Sequence, residues 1–148
     1  MASFVDLINN EFSKLAAQTI KELYDDKLYC DVSLVSGSGE KVDAHKFILA
    51  SSSITFTKIL EENHNPNMTI FMKDVESRVL SLLIEYIYIG QVVVPHMYLD
   101  TFLKIGRDLK IVGLNNKPAP KVIDEQALKR QTMQIVLLEI LIVGMMKI

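Results

Sequence analysis

The spacing of apolar residues identifies the first long element of the chain. Over residues 9–26, NNEFSKLAAQTIKELYDD, apolar side chains recur at three- and four-residue steps. This spacing predicts an amphipathic helix, and Asn9 or Asn10 is expected to cap its N-terminus. The five residues FVDLI at 4–8 favour an extended backbone and are too few to fold alone. The N-terminus is thus predicted to be a short extended segment followed by a helix.

After this helix the period of the pattern changes to that of a strand. Apolar and polar residues alternate in CDVSLVS and again in EKVDA, on either side of a GSG turn, which predicts a β-hairpin. The pattern then predicts two short helices, a third strand, a strong helix, a small strand and two last helices. In that order these elements span residues 46–51, 54–62, 68–72, 76–90, 91–95, 99–109 and 110–114. This order of helices and strands predicts an α+β domain with a tail after it.

Composition and charge narrow the class of protein. The chain has 148 residues, of which 49% are hydrophobic and 23% charged, the balance of a globular protein. Residues 1–114 hold 11 Lys and Arg against 15 Asp and Glu, a net charge of −4, so the folded part lacks the basic surface that binds nucleic-acid phosphates. Cys30 is the only cysteine, which excludes an internal disulfide. The N-terminus has no secretory signal pattern, so a reducing, intracellular compartment is expected.

The sequence lacks the usual catalytic and metal-binding patterns. His45, His64 and His96 have none of the spacings that hold zinc. The serines at 51–53 lack the G-x-S-x-G turn that exposes a nucleophile, and they are expected to be cap and turn residues. The GSG turn is not followed by Lys-Ser/Thr or by a helix that would bind a phosphate. We therefore expect a protein that is not an enzyme and holds no metal or cofactor.

One pair of opposite charges stands out. Asp31 lies on the first predicted strand and Lys46 at the start of the next helix, with only the hairpin between them. Two interpretations are open at this point. The pair is either a surface ion pair that contributes about 0–1 kcal/mol to stability, or part of a polar pocket that a partner protein uses.

Apolar residues without a predicted partner are the second unusual feature. The first helix has a wide apolar stripe, FVDLI precedes it, and the valines at 92–94 have no obvious strand to pair with. Unpaired strand edges and broad apolar stripes are usually buried against another chain. These features favour a binding module over an enzyme.

Two stretches of the sequence resemble the BTB/POZ domain. YCDVSLVSGSGEKVDAHKFILASSSITFTKIL, at 29–60, is similar to that family's strand, turn and returning strand, followed by A-H-K/R at the start of a helix, L-A-x-x-S, and then F two or three residues on. IEYIYIGQVVV, at 84–94, is similar to the family's aromatic helix end. The resemblance covers residues 4–114. It implies an α+β BTB/POZ fold, a small mixed sheet flanked by a cluster of short helices, with an N-terminal strand and helix used for dimerisation.

The motifs are also similar to those of a narrower group, the arthropod Tramtrack-type BTB domains. FVDLINNEFSKL, at 4–15, follows that group's opening motif, although Ile8 replaces the usual Trp. FMKDV at 71–75 and LKIVGL at 109–114 are similar to two further motifs of the group, with Val112 in place of a common Lys.

The resemblance implies an obligate oligomer. The first helix is expected to pack against its twin, and FVDLI of one copy is expected to pair with QVVV, at 91–94, of another. The residues expected at this oligomer interface are Phe4, Leu7, Ile8, Phe12, Leu15, Ala16, Thr19, Val92, Val93 and Val94. The charged pocket of the family corresponds to Asp31 and Lys46.

The expected function is that of a protein–protein interaction module. It would mediate homo- and hetero-oligomerisation of a BTB-type transcriptional regulator in the nucleus. The expected partners are the protein itself, other BTB proteins and co-repressors, with no direct contact to nucleic acid or membrane. The alternative is a substrate adaptor for a cullin-type ubiquitin ligase, but the apolar-x-Glu motif of such adaptors is missing near 63–66.

The sequence divides into three parts. The BTB/POZ domain is expected at 4–114, a linker at 115–134, and an apolar tail of unknown role at 135–148. The linker is indicated by the Asn and Pro residues of NNKPAPK. At about 1.5 Å per residue the tail makes roughly 21 Å of helix, too short for about 30 Å of hydrocarbon, so it is not expected to span a membrane.

Overall fold

The computed structural model describes residues 2–114 and 124–145. The chain divides into two units, 1–117 and 118–148. The first unit contains eight elements: α1 Phe12–Asp26, β1 Val32–Ser36, β2 Lys41–Ala44, α2 Lys46–Ser52, α3 Ile54–Glu62, β3 Met68–Met72, α4 Ser77–Ile89 and α5 His96–Asp108. The second unit contains α6, Glu125–Met145. The α+β class is confirmed, and the predicted bounds of α3 and β3 are those observed.

Three strands form a small mixed sheet in the order β2-β1-β3. β1 and β2 are the antiparallel arms of the predicted hairpin, with Val32 opposite Ala44. β3 lies parallel to β1 on its other side, with Leu34 opposite Ile70. Gly39 in the hairpin turn has φ of 91°, a backbone conformation that favours glycine. The sheet therefore has two open edges, along β2 and β3.

The core lies between one face of this sheet and the helices. β1 buries alternate residues, Val32, Leu34 and Ser36, as the two-residue period requires. α4 is the most deeply buried helix, and its buried residues are Val79, Leu80, Leu82, Leu83, Ile84 and Tyr88. Tyr86 and Ile87, on the same helix, are half-buried. A helix buried on more than one side is enclosed by its neighbours and forms the centre of the domain.

Two predictions of helical structure are wrong, one at the start of α1 and one at 110–114. α1 begins at Phe12 instead of residue 9, and Glu11 occupies its N-cap position. Asn9 forms a turn before the helix, where its Oδ1 accepts a hydrogen bond from the N–H of Glu11 at 3.0 Å. Residues 110–114 form a turn instead of a helix, because Lys110 has φ of 50° and Gly113 has φ of 88°. Helical residues need negative φ, so the chain bends here and buries two apolar side chains of this segment.

The strand predicted at 91–95 is not a strand of the single chain. Within residues 2–114 and 124–145, neither this segment nor 4–8 is paired with a strand. Their pairing with another copy remains a prediction.

α6 occupies part of the predicted linker and most of the predicted tail. Residues 115–123 of the predicted linker lie outside the described residues. α6 starts after Asp124, whose carboxylate accepts a hydrogen bond from the N–H of Ala127, as a helix cap does. The helix then continues past residue 134, where we placed the linker boundary, to Met145. None of the helices described in 2–114 and 124–145 has both the length and the apolarity to cross a bilayer.

Candidate functional site

The apolar stripe of α1 is divided between two surfaces. Ile20 and Tyr24 pack on the core, and the ring centroids of Tyr24 and Tyr88 are 5.4 Å apart. Phe12 and Leu15 lie on the other side and are 69% and 53% exposed. Among the remaining predicted interface residues of α1, Thr19 is exposed and Ala16 is half-buried between the two surfaces. One helix thus covers its own core and also presents an uncovered apolar side.

The N-terminal segment adds to this uncovered surface. Phe4, Leu7 and Ile8 are all more than 70% exposed. No contact within the described chain buries them, although each is a large apolar side chain. Such a run of exposed apolar residues is unusual on a monomeric protein.

The valines after α4 alternate between the core and solvent. Val92 and Val94 are half-buried and pack on the core, while Val93 points outward and is 40% exposed. This alternation is that of a strand, although the segment has no partner strand among the described residues. The alternation indicates an extended segment, and its pairing with a second strand stays a prediction.

Asp31 and Lys46 meet through the backbone of α2. Oδ1 of Asp31 accepts a hydrogen bond from the N–H of Lys46 at 2.7 Å. The ammonium of Lys46 is directed elsewhere and donates to the carbonyl oxygen of Asn65 at 2.6 Å. The surface ion pair, one of the two interpretations left open by the sequence, is therefore not formed. The carboxylate instead lies at a helix N-terminus, where the unpaired N–H groups and the helix dipole favour a negative charge.

Asp31 also lines a polar groove on the outer face of the sheet. The groove has a volume of about 370 Å³, and its polar lining includes Ser33, Lys41, Asp43 and Asn67. Ser33 donates a hydrogen bond to Asp43 at 2.7 Å, and this bond, together with Lys41, lowers the pKa of the Asp43 carboxyl. Lys46 does not line the groove, so the two residues of the predicted pocket face different surroundings.

A buried histidine joins three elements, and the sequence analysis missed it. His45 donates its backbone N–H to Oη of Tyr88 at 2.8 Å, and its ring Nδ1 lies 2.7 Å from the same oxygen. The carbonyl oxygen of Leu28 can only accept, so Nε2 of the neutral ring donates its proton there, and Nδ1 accepts the hydroxyl proton of Tyr88. Burial raises the pKa of Tyr88 to about 12, so the phenol stays neutral.

No local pattern could have found this contact, because His45 and Tyr88 are 43 residues apart. The two hydrogen bonds link α2 to α4, and the bond to Leu28 links α2 to the loop after α1. They fix the start of α2, where Asp31 is bound.

Three exposed apolar residues near this point were also missed. Leu28, Tyr29 and Phe47 are 52%, 85% and 78% exposed. Tyr29 also has φ of 59°, a conformation that is uncommon for a residue other than glycine. The hydrogen bonds of His45 and Asp31 hold the loop that carries Leu28 and Tyr29 against the start of α2, which carries Phe47. The loop that follows α1 therefore carries two more exposed apolar side chains, Leu28 and Tyr29, beside the start of α2.

The structure thus combines a small mixed sheet, a central helix and an uncovered N-terminal apolar surface, which is the architecture of a protein-interaction domain. The family model for the BTB/POZ domain matches residues 20–126. The chain belongs to the BTB/POZ family.

Similar proteins come from Drosophila melanogaster and agree with the arthropod Tramtrack-type group. Longitudinals lacking protein-like is 34% identical over 110 residues, which are 74% of this chain and 86% of that protein. Broad-complex core protein is 30% identical over 74% of this chain, and sex determination protein fruitless is 33% identical over 73%. These alignments span only 15% and 11% of those two longer proteins.

Solved structures support the same fold at lower identity. The BTB domain of zebrafish PATZ1 has a TM-score of 0.64 at 19% identity and covers 76% of this chain and 92% of its own. The BTB domain of human gigaxonin has a TM-score of 0.65 at 18% identity and covers 77% of this chain and 93% of its own. The fold is a protein-interaction fold, and in the described part of the chain no three His, Cys, Asp or Glu residues are grouped to hold a metal.

Proposed function

We propose that this domain is a non-enzymatic oligomerisation module of a BTB-type transcriptional regulator in the nucleus. The observation that carries the proposal is the division of α1, which packs Ile20 and Tyr24 on its own core and leaves Phe12 and Leu15 exposed. A helix with apolar residues on two sides can pack between two protein domains. The first is its own domain, and the proposed second is that of another copy.

Packing of α1 against its twin would bury the exposed side. Burial of apolar surface contributes about 25 cal/mol per Å² removed from water, so two copies of Phe12 and Leu15 supply a favourable start. Leu28, Tyr29 and Phe47 are further exposed apolar side chains of this domain. Obligate interfaces bury roughly 2,000 Å² or more and resemble a domain core cut in half, and a surface of this composition suits them.

Exchange of the N-terminal segment is the second proposed contact. Residues 4–8 of one copy would pair as a strand with 91–94 of another, where Val93 points outward and the backbone has no partner strand within 2–114 and 124–145. Strand addition gains main-chain hydrogen bonds for affinity and alternate side chains for specificity. In this arrangement Phe4, Leu7 and Ile8 anchor the segment on the partner.

The polar groove beside Asp31 is the proposed contact for hetero-partners. Its lining includes Asp31, whose carboxylate binds the start of α2, so a partner there would meet mainly polar groups. Other BTB proteins and co-repressors are the proposed partners there. The cullin-adaptor alternative gains no support, since residues 63–66, which follow the end of α3 at Glu62, lack the apolar-x-Glu motif.

The role in transcription and the nuclear location rest on the relatives. Most of the named relatives are much longer than this chain, and zinc finger protein chinmo is matched over 18% of its length. A role as the oligomerising part of such a regulator is therefore proposed by analogy.

Co-expression of two differently tagged copies of the full chain tests the proposal. Capture through one tag should recover the other copy in comparable amount, because the exposed surface of α1 is expected to be covered by a second copy as the chains fold. Recovery of only the captured copy would contradict the proposal.

A further inference from the structure

α6 is an apolar helix without buried residues. All of its described side chains are on the surface, and its second half carries Ile135, Leu138 and Ile142 at 57–58% exposure. Further apolar residues in this half, Val136, Leu137, Ile140, Leu141 and Val143, are 46–61% exposed. A helix that is apolar on all sides is normally buried, so α6 requires a surface to pack on.

A seven-residue repeat runs along α6. Leu128, Ile135 and Ile142 are seven residues apart, as are Gln131, Leu138 and Met145 three residues after each of them. These are the a and d positions of a heptad, which form one stripe on a helix and pair with the same stripe of another helix. All members except Gln131 are apolar. The charged residues Lys129 and Arg130 lie outside the stripe.

We propose that α6 is a second self-association element, and that it is covered by α6 of another copy of this chain, parallel and in register. This goes beyond the oligomerisation proposed for residues 4–114. One part of the argument rests on that proposed function: an oligomer formed by the BTB/POZ domain would hold its tails at an effective concentration near the millimolar range.

Polar residues favour the parallel arrangement. In a parallel pair the two Gln131 side chains meet, and each amide has both a donor and an acceptor for the other. An antiparallel pair would set each Gln131 against apolar residues of the opposite half and leave its amide unsatisfied. A single polar residue in such a stripe is a known means of fixing register.

The flanking positions agree with this arrangement. Gln134 and Glu139 are five residues apart and lie on opposite sides of the stripe, at the positions that meet between parallel copies. The Glu139 carboxylate would then accept a hydrogen bond from Gln134 of the other copy. Glu139 is the only charged residue of 135–145, so the parallel pair also keeps the two carboxylates apart. The apolar residues outside the stripe are available to bring such pairs together.

Disulfide trapping in the full chain tests this arrangement. In a Cys30→Ser background, Gln131→Cys puts a thiol in the stripe, and Gln126→Cys puts one on the opposite side of the same helix. Under mild oxidation Gln131→Cys should form covalent dimers about tenfold faster or more than Gln126→Cys, because the paired helices hold its thiols at high effective concentration. Equal rates at both positions would overturn the proposal.

Two further measurements show whether α6 packs on something other than a parallel α6 of another copy. Cross-linking only between mixed Leu128→Cys and Ile142→Cys copies would show an antiparallel pair and overturn the register. Flotation of the full chain with vesicles of phosphatidylcholine and phosphatidylserine, without trapping at 131, would mean that a lipid surface covers α6 and would overturn the proposal.

The mass of the reduced Gln131→Cys chain separates this inference from the proposed function. An untrapped chain that is still a dimer means that the α6 proposal fails while the BTB/POZ proposal stands. An untrapped monomer means that both fail. A chain that is trapped efficiently at 131 and dissociates to a monomer when dilute supports the α6 pairing and contradicts an obligate BTB/POZ oligomer.

Discussion

The carboxylate of Asp31 accepts a hydrogen bond from the backbone N–H of Lys46, at 2.7 Å, and so binds the N-terminus of α2. The sequence indicated that these two residues are neighbours but suggested a contact between their charged groups. The observed contact needs the carboxylate of Asp31 and only the backbone of Lys46. It makes Asp31 a structural residue as well as a part of the polar groove.

Replacement of Asp31 tests this role. Asp31→Asn keeps a side-chain oxygen but loses the charge, and it should cost roughly 0.3–1 kcal/mol, the usual value of a charge at a helix end. Asp31→Ala also loses the acceptor and should lower the free energy of unfolding by about 1 kcal/mol or more. Urea unfolding and the oligomer mass should be measured for both variants, with the exposed Glu40→Gln as the control. If Asp31→Ala changes the free energy of unfolding by less than about 0.5 kcal/mol and leaves the oligomer mass unchanged, Asp31 is an ordinary surface residue.

Removal of the Tyr88 hydroxyl should lower the free energy of unfolding more than replacement of Asp31 does. Tyr88→Phe leaves the buried N–H and Nδ1 of His45 without their shared partner, and an unsatisfied buried polar group costs about 1–3 kcal/mol. Tyr86→Phe is the matched control, because its hydroxyl makes only a 3.5 Å contact with the carbonyl of Val112. Equal losses of unfolding free energy in the two variants would contradict the role given to the His45–Tyr88 contact.

The loss of stability at alkaline pH tests the burial of the Tyr88 hydroxyl independently. The pKa of Tyr88 is about 12 in the folded chain, against 10.0 for an ordinary tyrosine, chiefly because burial disfavours the phenolate. Between these two values the unfolded chain releases the proton and the folded chain keeps it, so stability falls as the pH rises. Wild type should therefore lose stability more steeply than Tyr88→Phe over that range.

Introduction of a charge on the exposed side of α1 tests whether that side forms the proposed interface. Phe12→Asp or Leu15→Asp should give aggregation or unfolding instead of a soluble monomer, because an obligate interface is part of what makes the chain stable. Ala17→Asp changes an exposed residue elsewhere on the same helix and should leave the chain soluble and associated. Size-exclusion chromatography of the soluble fractions distinguishes these outcomes. Wild-type behaviour of both interface variants would argue against the proposed packing of α1.

Local patterns predicted most of the fold and less of the site. β1, β2 and α4 were predicted well because the position of each residue on a strand or helix determines which side chains are buried together. The turn at 110–114 was missed because the left-handed backbone of Lys110 follows from the contacts of its neighbours and not from its own residue type. Non-local contacts, such as that of His45 with Tyr88, leave no periodic pattern at all.

Local patterns also do not show which apolar residues of a helix are exposed. The apolar stripe of α1 was visible in the sequence, but its division into a covered side and an exposed side depends on where α4 lies. Phe47 was not singled out, because a run of four apolar residues does not reveal which ones face the core. The structure shows that Ile48 and Leu49 are buried and Phe47 is exposed.

Deletion of residues 1–8 should separate two levels of assembly. The segment adds nothing to the core of its own chain, since Phe4, Leu7 and Ile8 are exposed, so the remaining domain should stay folded. Dimers held by α1 should survive, and larger assemblies built by exchange of this strand should dissociate. Sedimentation velocity of the full and shortened chains makes the comparison. Identical sedimentation of the two forms would mean that the segment has no part in assembly.

The mass of the wild-type chain in solution shows whether a second copy covers the exposed side of α1. One copy has a mass of 16.8 kDa, and an obligate oligomer has at least twice that mass. Multi-angle light scattering at micromolar concentration should give a dimer or a larger species, because the exposed surface of α1 is expected to be covered by a second copy. A stable, well-folded monomer of 16.8 kDa would contradict the account.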